Sequence, residues 1–398
     1  MTLPVDIRGV CPDRFRAVRD AFVANFAEGK ELGARFSAAI EGEVVIDLMA
    51  GVADRASGAP FGPDTLAPIF STSKAITALM IARLVGQGLL DYRQRVAEVW
   101  PEFAQGGKQD ITLDQCLSHQ DGLAAFTQPM DPALWFDWEA ITAKIAAMAP
   151  LWPPGTASGY HPVIFGYVAG EIFRRVDGRT LGQALRHDLA EPLGLDLWIG
   201  LPDDEHRRVA GMQRPPSMPD LGPLTDIKRA AFLEPWSSPG GRDSAAWRRA
   251  EIPSANGHAT AESLARLAAV LACDGMLDGH QVLGPGIAAD VARQRIRGRD
   301  LVLPFDLAWG AGVLRNDPLM IYGPGTQTVG HSGWGGSCLM ADPERRLSAA
   351  YVMNRQSADL IGDPRSRRSP ALRRSAAPAR MTITFRAPRT PLRSNAGT

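Results

Sequence analysis

The segment TSKAITALMIARLVGQGLL, residues 72–90, constrains this chain more than any other stretch. It is apolar on nearly every side of a helical turn, and glycines at 86 and 88 close it. A helix of that kind has no face to offer water and must be packed all round. The rest of the chain therefore has to supply layers on several sides of a central helix. With 398 residues, 45% of them hydrophobic, it is long enough to do so as two closely packed lobes. One residue breaks the pattern. Lys74 lies inside the apolar run, in a chain whose 43 basic residues include only five lysines.

The flanking patterns supply those layers. Phe15, Val18, Phe22 and Phe26 stand at helical spacing and predict an amphipathic helix over 12–28. RFSAAIEGEVVIDLMAG alternates on both sides of Glu41-Gly42 and predicts a hairpin with one buried face. From about 95 to 235, helical patterns such as ITAKIAAMA and FGYVAGEIFRRV alternate with Pro- and Trp-bearing loops: LWPPG, RPPSMPD and EPWSSPGG. Strand patterns return at 306–315 and in SCLMADPERRLSAAYVMN, which turns at Asp342-Pro343-Glu344. The expected fold is α/β (α+β): a mostly antiparallel sheet flanked by helices, built from 1–95 and 236–365, with an inserted all-helical lid at 96–235. Residues 366–398 contain no acidic residue and no period, and read as a basic, disordered tail.

Several function classes are disfavoured. The formal charge is balanced, which gives no reason to expect a nucleic-acid partner. No run approaches the roughly 18 uninterrupted apolar residues of a membrane span. The opening MTLPVDIRGVCPDRF lacks a basic stretch followed by an apolar one, so no signal peptide is read and a cytoplasmic location is expected. Cys11, Cys116, Cys273 and Cys338 are far apart and never form CxxC, which predicts free thiols. No HExxH, phosphate loop or dinucleotide fingerprint occurs, so no metal and no cofactor is expected. The sequence leaves the oligomeric state open.

Ser71 stands three residues before Lys74, one helical turn away on the same face. Burial disfavours the ammonium form of lysine. A neutral lysine beside a serine hydroxyl is a base that turns the hydroxyl into a nucleophile. A helix start nearby aims N–H groups at the negative charge that develops. S-x-x-K alone is a short pattern, and a structural lysine reaching out of an apolar helix fits it equally well.

The surrounding residues narrow the choice. Ser71–Lys74 with AITALMIARLVGQGLLD resembles the first motif of serine β-lactamases and penicillin-binding proteins. ITLDQCLSHQDGL (111–123), PGTASGYHPVIFGYVAGEIF (154–173) and TVGHSGWGGSCLMADPE (328–344) resemble further segments of the class C β-lactamase-like superfamily, in family order. The similarity runs from about residue 12 to 365, and family VIII carboxylesterases are the nearest match.

The resemblance implies a β-lactamase/penicillin-binding-protein-like fold with Ser71 as the acylated nucleophile. Lys74 and Tyr160 would share the proton handling, with the choice of base left open. His331-Ser332-Gly333 falls where lactamases carry Lys-Thr-Gly, and the backbone N–H of Trp334 would join that of Ser71 in an oxyanion hole. A second frame takes Trp334-Gly335-Gly336 as the box and moves the donor to Ser337. Two departures stand out: Tyr-x-Asn becomes Tyr160-His161-Pro162, and the lysine of the third box becomes His331. Both remove contacts that a β-lactam needs and an ester does not. The family's closing helix is replaced, or lost to an altered reading frame, beyond YVMNRQSADLIGDPRSRR, which would leave the first helix less covered. Trp135, Trp138, Trp152 and Trp236 are candidates to line a pocket or, equally, to form the core of the lid, and His119 and His161 read as hydrogen-bonded or exposed imidazoles. The expected function is a serine carboxylesterase acting on small short-chain esters. The alternatives are a β-lactamase or D-amino-acid peptidase, and a catalytically idle scaffold of the same fold.

Overall fold

The computed structural model describes residues 5–367. The alternating stretch forms the antiparallel pair Gly33–Ile40 and Glu43–Gly51, with Glu41 and Gly42 at φ 55° and 88° in the turn between them. These two strands belong to a nine-stranded sheet in which every pairing is antiparallel. Its order runs Arg8–Val10, Glu43–Gly51, Gly33–Ile40, Leu347–Met353, Cys338–Asp342, Val329–Ser332, Leu314–Arg315, Asp306–Trp309, Ile296–Arg299. The first hairpin thus meets the last one in the middle of the sheet, with Ala34 opposite Met353 and Ile40 opposite Leu347. The helix Ala261–Ala272 packs over this junction.

The apolar segment becomes the helix Ser73–Gly86, buried along nearly its whole length and packed against the helix Ile164–Asp177. It begins two residues later than Ser71. The strand Ala67–Phe70 feeds it, and that strand pairs with Gly257–Ala259 in a separate three-stranded sheet. The third member of that sheet, Leu197–Trp198, comes from the inserted lobe, which is therefore helical but not entirely so. Val209 also bridges Leu66 and Gln213 bridges Arg355, so backbone pairing with the sheet side resumes before residue 235. Among the described residues all four cysteines are free, no helix is long and apolar enough to cross a membrane, and no cluster able to hold a metal occurs.

The end of the described chain differs from the expectation of a tail starting at 366. Pro364–Arg367 forms a short helix against the first helix, Arg16–Ala27, where Asn25 Nδ2 donates to the Arg365 carbonyl at 3.2 Å. The Ser366 hydroxyl donates to the carbonyl of Asp363 at 3.0 Å. Residues 368–398 of the expected tail lie outside the described residues. Arg365 is the centre of a buried polar cluster: it donates to Asp363 Oδ2 at 2.7 Å, Glu31 Oε2 at 3.1 Å and the Gly335 carbonyl at 2.5 Å. The side chains of Arg365, Glu31 and Asp363 are 4%, 0% and 5% exposed; burial raises the Glu31 carboxyl to a pKa of about 8, so Asp363 is the carboxylate that the guanidinium chiefly compensates. Removing one partner leaves uncompensated charge in the interior, at a cost of about 3–5 kcal/mol. Arg365→Ala is therefore expected to lower the urea midpoint strongly, a shift that equilibrium unfolding reads directly.

Candidate active site

Ser71 sits at the turn from strand to helix. Phe70, just before it, has a left-handed φ of 47°, a conformation that costs about 1–3 kcal/mol in a residue with a bulky side chain. That bend leaves Ser71 only partly covered while its neighbours on the helix are buried. Lys74 is one turn on and fully buried, with Nζ 3.3 Å from Ser71 Oγ. Its other partners are backbone carbonyls, Pro162 at 2.9 Å and Ser254 at 3.1 Å. No carboxylate pairs with it among the described residues, and burial holds its pKa well below the ordinary 10.5. A neutral amine has two N–H groups and one lone pair. Two carbonyls take the N–H groups, which leaves the lone pair for the serine proton.

Tyr160 completes the group. Its ring lies under the lysine, 4.7 Å from Nζ to the ring centroid, and stacks on Trp309 at 5.9 Å. Burial pushes the phenol well above its usual pKa, and a hydrogen bond with Ser71 offsets part of that rise. The phenol therefore keeps its proton. Asp300 fixes this segment: its carboxylate accepts from the Tyr160 N–H at 3.0 Å and from the Ser158 hydroxyl at 3.0 Å. Asp300 carried no signal in the sequence, because a lone aspartate before an apolar loop has no pattern to mark it.

The third segment runs along the strand Val329–Ser332 and past the nucleophile. Gly333 is required there: a Cβ would stand 2.2 Å from the Ile69 carbonyl and 2.2 Å from Ser337 Oγ. His331 is buried. Its Nδ1 donates to the Ser332 carbonyl at 2.9 Å, and burial brings its pKa down to about 3. At neutral pH it is an uncharged imidazole and offers no fixed cation. Ser332 is tied by its hydroxyl to that of Tyr322 at 3.0 Å. Trp334 lines the cavity that opens beside Ser71. Ser337 instead points to the other side, donating to the Ile69 carbonyl at 2.7 Å with its hydroxyl 3.1 Å from that of Thr72.

That cavity has a volume of about 130 Å³, and its walls are mostly apolar, among them Phe70, Phe232, Trp247, Trp309 and Trp334. Trp135, Trp138, Trp152 and Trp236 do not line it, which leaves the core reading of the two the sequence offered for them. Trp135 donates its indole N–H to the Trp236 carbonyl, Trp236 to the Phe126 carbonyl, Trp138 to Glu171 and Trp152 to the Ala157 carbonyl. Each satisfies its polar edge within the inserted region, so they pack that lobe rather than face the substrate. His119 and His161 are buried, not exposed. His161 Nε2 lies 3.0 Å from Asp121 Oδ1 without the alignment of a hydrogen bond, and the His119 ring packs 5.0 Å from Tyr160 as part of the wall behind it.

Comparisons with known proteins agree with this geometry. The sequence model of the beta-lactamase family matches residues 18–371. The chain is 32% identical over 368 residues to the esterase/beta-lactamase LipL of Mycobacterium tuberculosis, covering 89% of this chain and 84% of that protein. It superposes on a penicillin-binding protein homolog from Caulobacter crescentus with a TM-score of 0.90 and 63% identity, covering 92% and 98% of the two chains. On a family VIII carboxylesterase the TM-score is 0.87 at 40% identity, with the same coverage of 92% and 98%. With the matched fold around Ser71 and Lys74, these findings place the chain in the beta-lactamase family, among its esterase- and β-lactamase-like hydrolases.

Proposed function

We propose that this protein is a serine carboxylesterase that hydrolyses small carboxylic esters through an acyl-enzyme on Ser71. The observation that carries the reading is the fully buried Lys74, its pKa held well below the ordinary value by burial and its Nζ 3.3 Å from the Ser71 hydroxyl. Ser71 Oγ attacks the ester carbonyl carbon as its proton passes to Lys74 Nζ. Negative charge on the carbonyl oxygen is received by the N–H groups of Ser71 and Trp334. The bond to the alcohol then breaks, and the departing oxygen takes a proton from the Lys74–Tyr160 pair. Water repeats the sequence on the acyl-enzyme, returning Ser71 and releasing the acid.

In this reading Lys74 is the base: burial raises the Tyr160 pKa and lowers that of Lys74, which supports Lys74 accepting the serine proton and Tyr160 donating a hydrogen bond. One feature favours esters over lactams: Pro162 replaces the amide side chain while its carbonyl is engaged by Lys74. The small apolar cavity favours short acyl groups. Incubation with p-nitrophenyl butyrate and with a phosphonate serine probe tests the proposal. Nitrophenol release together with one adduct on the Ser71 peptide is expected. A folded protein that gives neither is an idle scaffold, and one that hydrolyses nitrocefin in preference to the butyrate is a lactamase.

A further inference from the structure

Arg242 stands in the lining of the cavity beside Ser71, in a loop outside the four family-like segments. No aspartate or glutamate lines this cavity, and with His331 neutral Arg242 is its one formal charge among the described residues. The guanidinium carbon lies 4.3 Å from the ring centroid of Trp334, the residue proposed to complete the oxyanion hole. Its one hydrogen bond among the described residues runs from Nη2 to Ser238 Oγ at 3.3 Å. No carboxylate pairs with it there, whereas Arg248 nearby in the chain pairs with Asp243 at 2.6 Å. Arg214 adds positive potential at the same place.

We infer that Arg242 is a specificity-determining residue and that the preferred ester carries a carboxylate on the portion lying over Trp334. The inference rests on the esterase reading of Ser71. A guanidinium presents a planar fork of donors that matches a carboxylate in a bidentate pair, and its contact with an indole holds that fork in place. The apolar walls hold the uncharged part of the substrate while the exposed mouth lets the charged end reach the arginine. An approaching anion also meets a mouth of a single sign, which speeds encounter at low salt.

The test compares the mono-p-nitrophenyl ester of glutarate, which carries a free carboxylate, with the same ester capped by a methyl group. In the wild-type protein kcat/KM for the free acid is expected to exceed that for the capped ester by about tenfold, the scale of one partly exposed charge-assisted pair. The preference is expected to shrink in high salt, to vanish in Arg242→Gln and to survive in part in Arg242→Lys. Binding of both esters to Ser71→Ala protein, with and without Arg242→Gln, gives a second reading that needs no turnover. An Arg242-dependent preference in binding with no wild-type turnover keeps this site and overturns the esterase. Turnover of both esters at equal rates, or a preference unchanged in Arg242→Gln, keeps the esterase and overturns the role of Arg242.

Discussion

Ser71→Ala is expected to abolish turnover of p-nitrophenyl butyrate, with a loss on the order of 10⁴–10⁶-fold, while the protein stays folded. The loss is large because no other group stands ready to attack. Tyr160 keeps its proton and lies behind the serine, and Thr72, the nearest hydroxyl in sequence, is fully buried and already paired with Ser337. Ser73 is likewise committed, donating to the Phe70 carbonyl and accepting from the Gly257 N–H at 2.9 Å. The fold should survive because Ser71 is only partly buried and the bend that displays it is set by Phe70. Stopped assays with an unfolding curve on the same preparation check both halves. Activity retained within tenfold would move the nucleophile elsewhere. The residual rate has a meaning too: the N–H groups of Ser71 and Trp334 remain in the variant, so hydrolysis slightly above the rate in buffer would measure the oxyanion site alone.

The parts of this arrangement that were legible in the sequence are those with a period or a fixed spacing. Alternation around Glu41-Gly42 and around the Asp342-Pro343-Glu344 turn located the two hairpins that meet at the centre of the sheet, because a strand with one buried face must alternate. The apolar run after Ser71 located the central helix, since no other structure buries a segment on every side. Ser71, Lys74 and Tyr160 were found through local motifs, and the structure brings all three together.

What the sequence concealed depends on contacts between distant loops. Two carbonyls, of Pro162 and Ser254, hold Lys74, and a carbonyl carries no residue identity that could mark it. The cavity walls Trp247, Trp309 and Phe232 come from separate stretches with no shared pattern. The tryptophans at 135, 138, 152 and 236 could not be assigned for the same reason: a loop tryptophan serves a core or a pocket equally well, and only the destination of its N–H decides. At the far end, composition pointed to a tail from 366, whereas the short helix Pro364–Arg367 carries the ordered chain two residues further, with the Ser366 hydroxyl on the Asp363 carbonyl.

Lys74→Met is the second large effect, and its sign can be followed through pH. The base exists only as the neutral amine, so the rate should rise with pH through the Lys74 pKa, which burial places well below 10.5. The wild-type protein is thus expected to show an acid limb in kcat/KM and to reach its plateau long before an ordinary lysine would lose its proton. In Lys74→Met that limb should disappear, and the plateau rate should fall by about 10²–10⁴-fold, the usual worth of a positioned base. Stability moves by a different rule. A lysine whose pKa is lower in the folded state binds fewer protons there than in the unfolded chain between those two values. Its burial penalty is therefore absent above 10.5, grows as pH falls, and is full below the folded-state value. Methionine has no such penalty but leaves the Pro162 and Ser254 carbonyls without their donor, a pH-independent cost. Relative to wild type, Lys74→Met should accordingly gain in stability as pH is lowered from 10.5, even as its activity stays low throughout. Urea unfolding of both proteins across that range, beside their pH–rate profiles, reads the two trends together. A wild-type limb that persists in Lys74→Met would transfer the base to another group, and a constant stability difference would mean that Lys74 keeps its ordinary pKa in the folded protein.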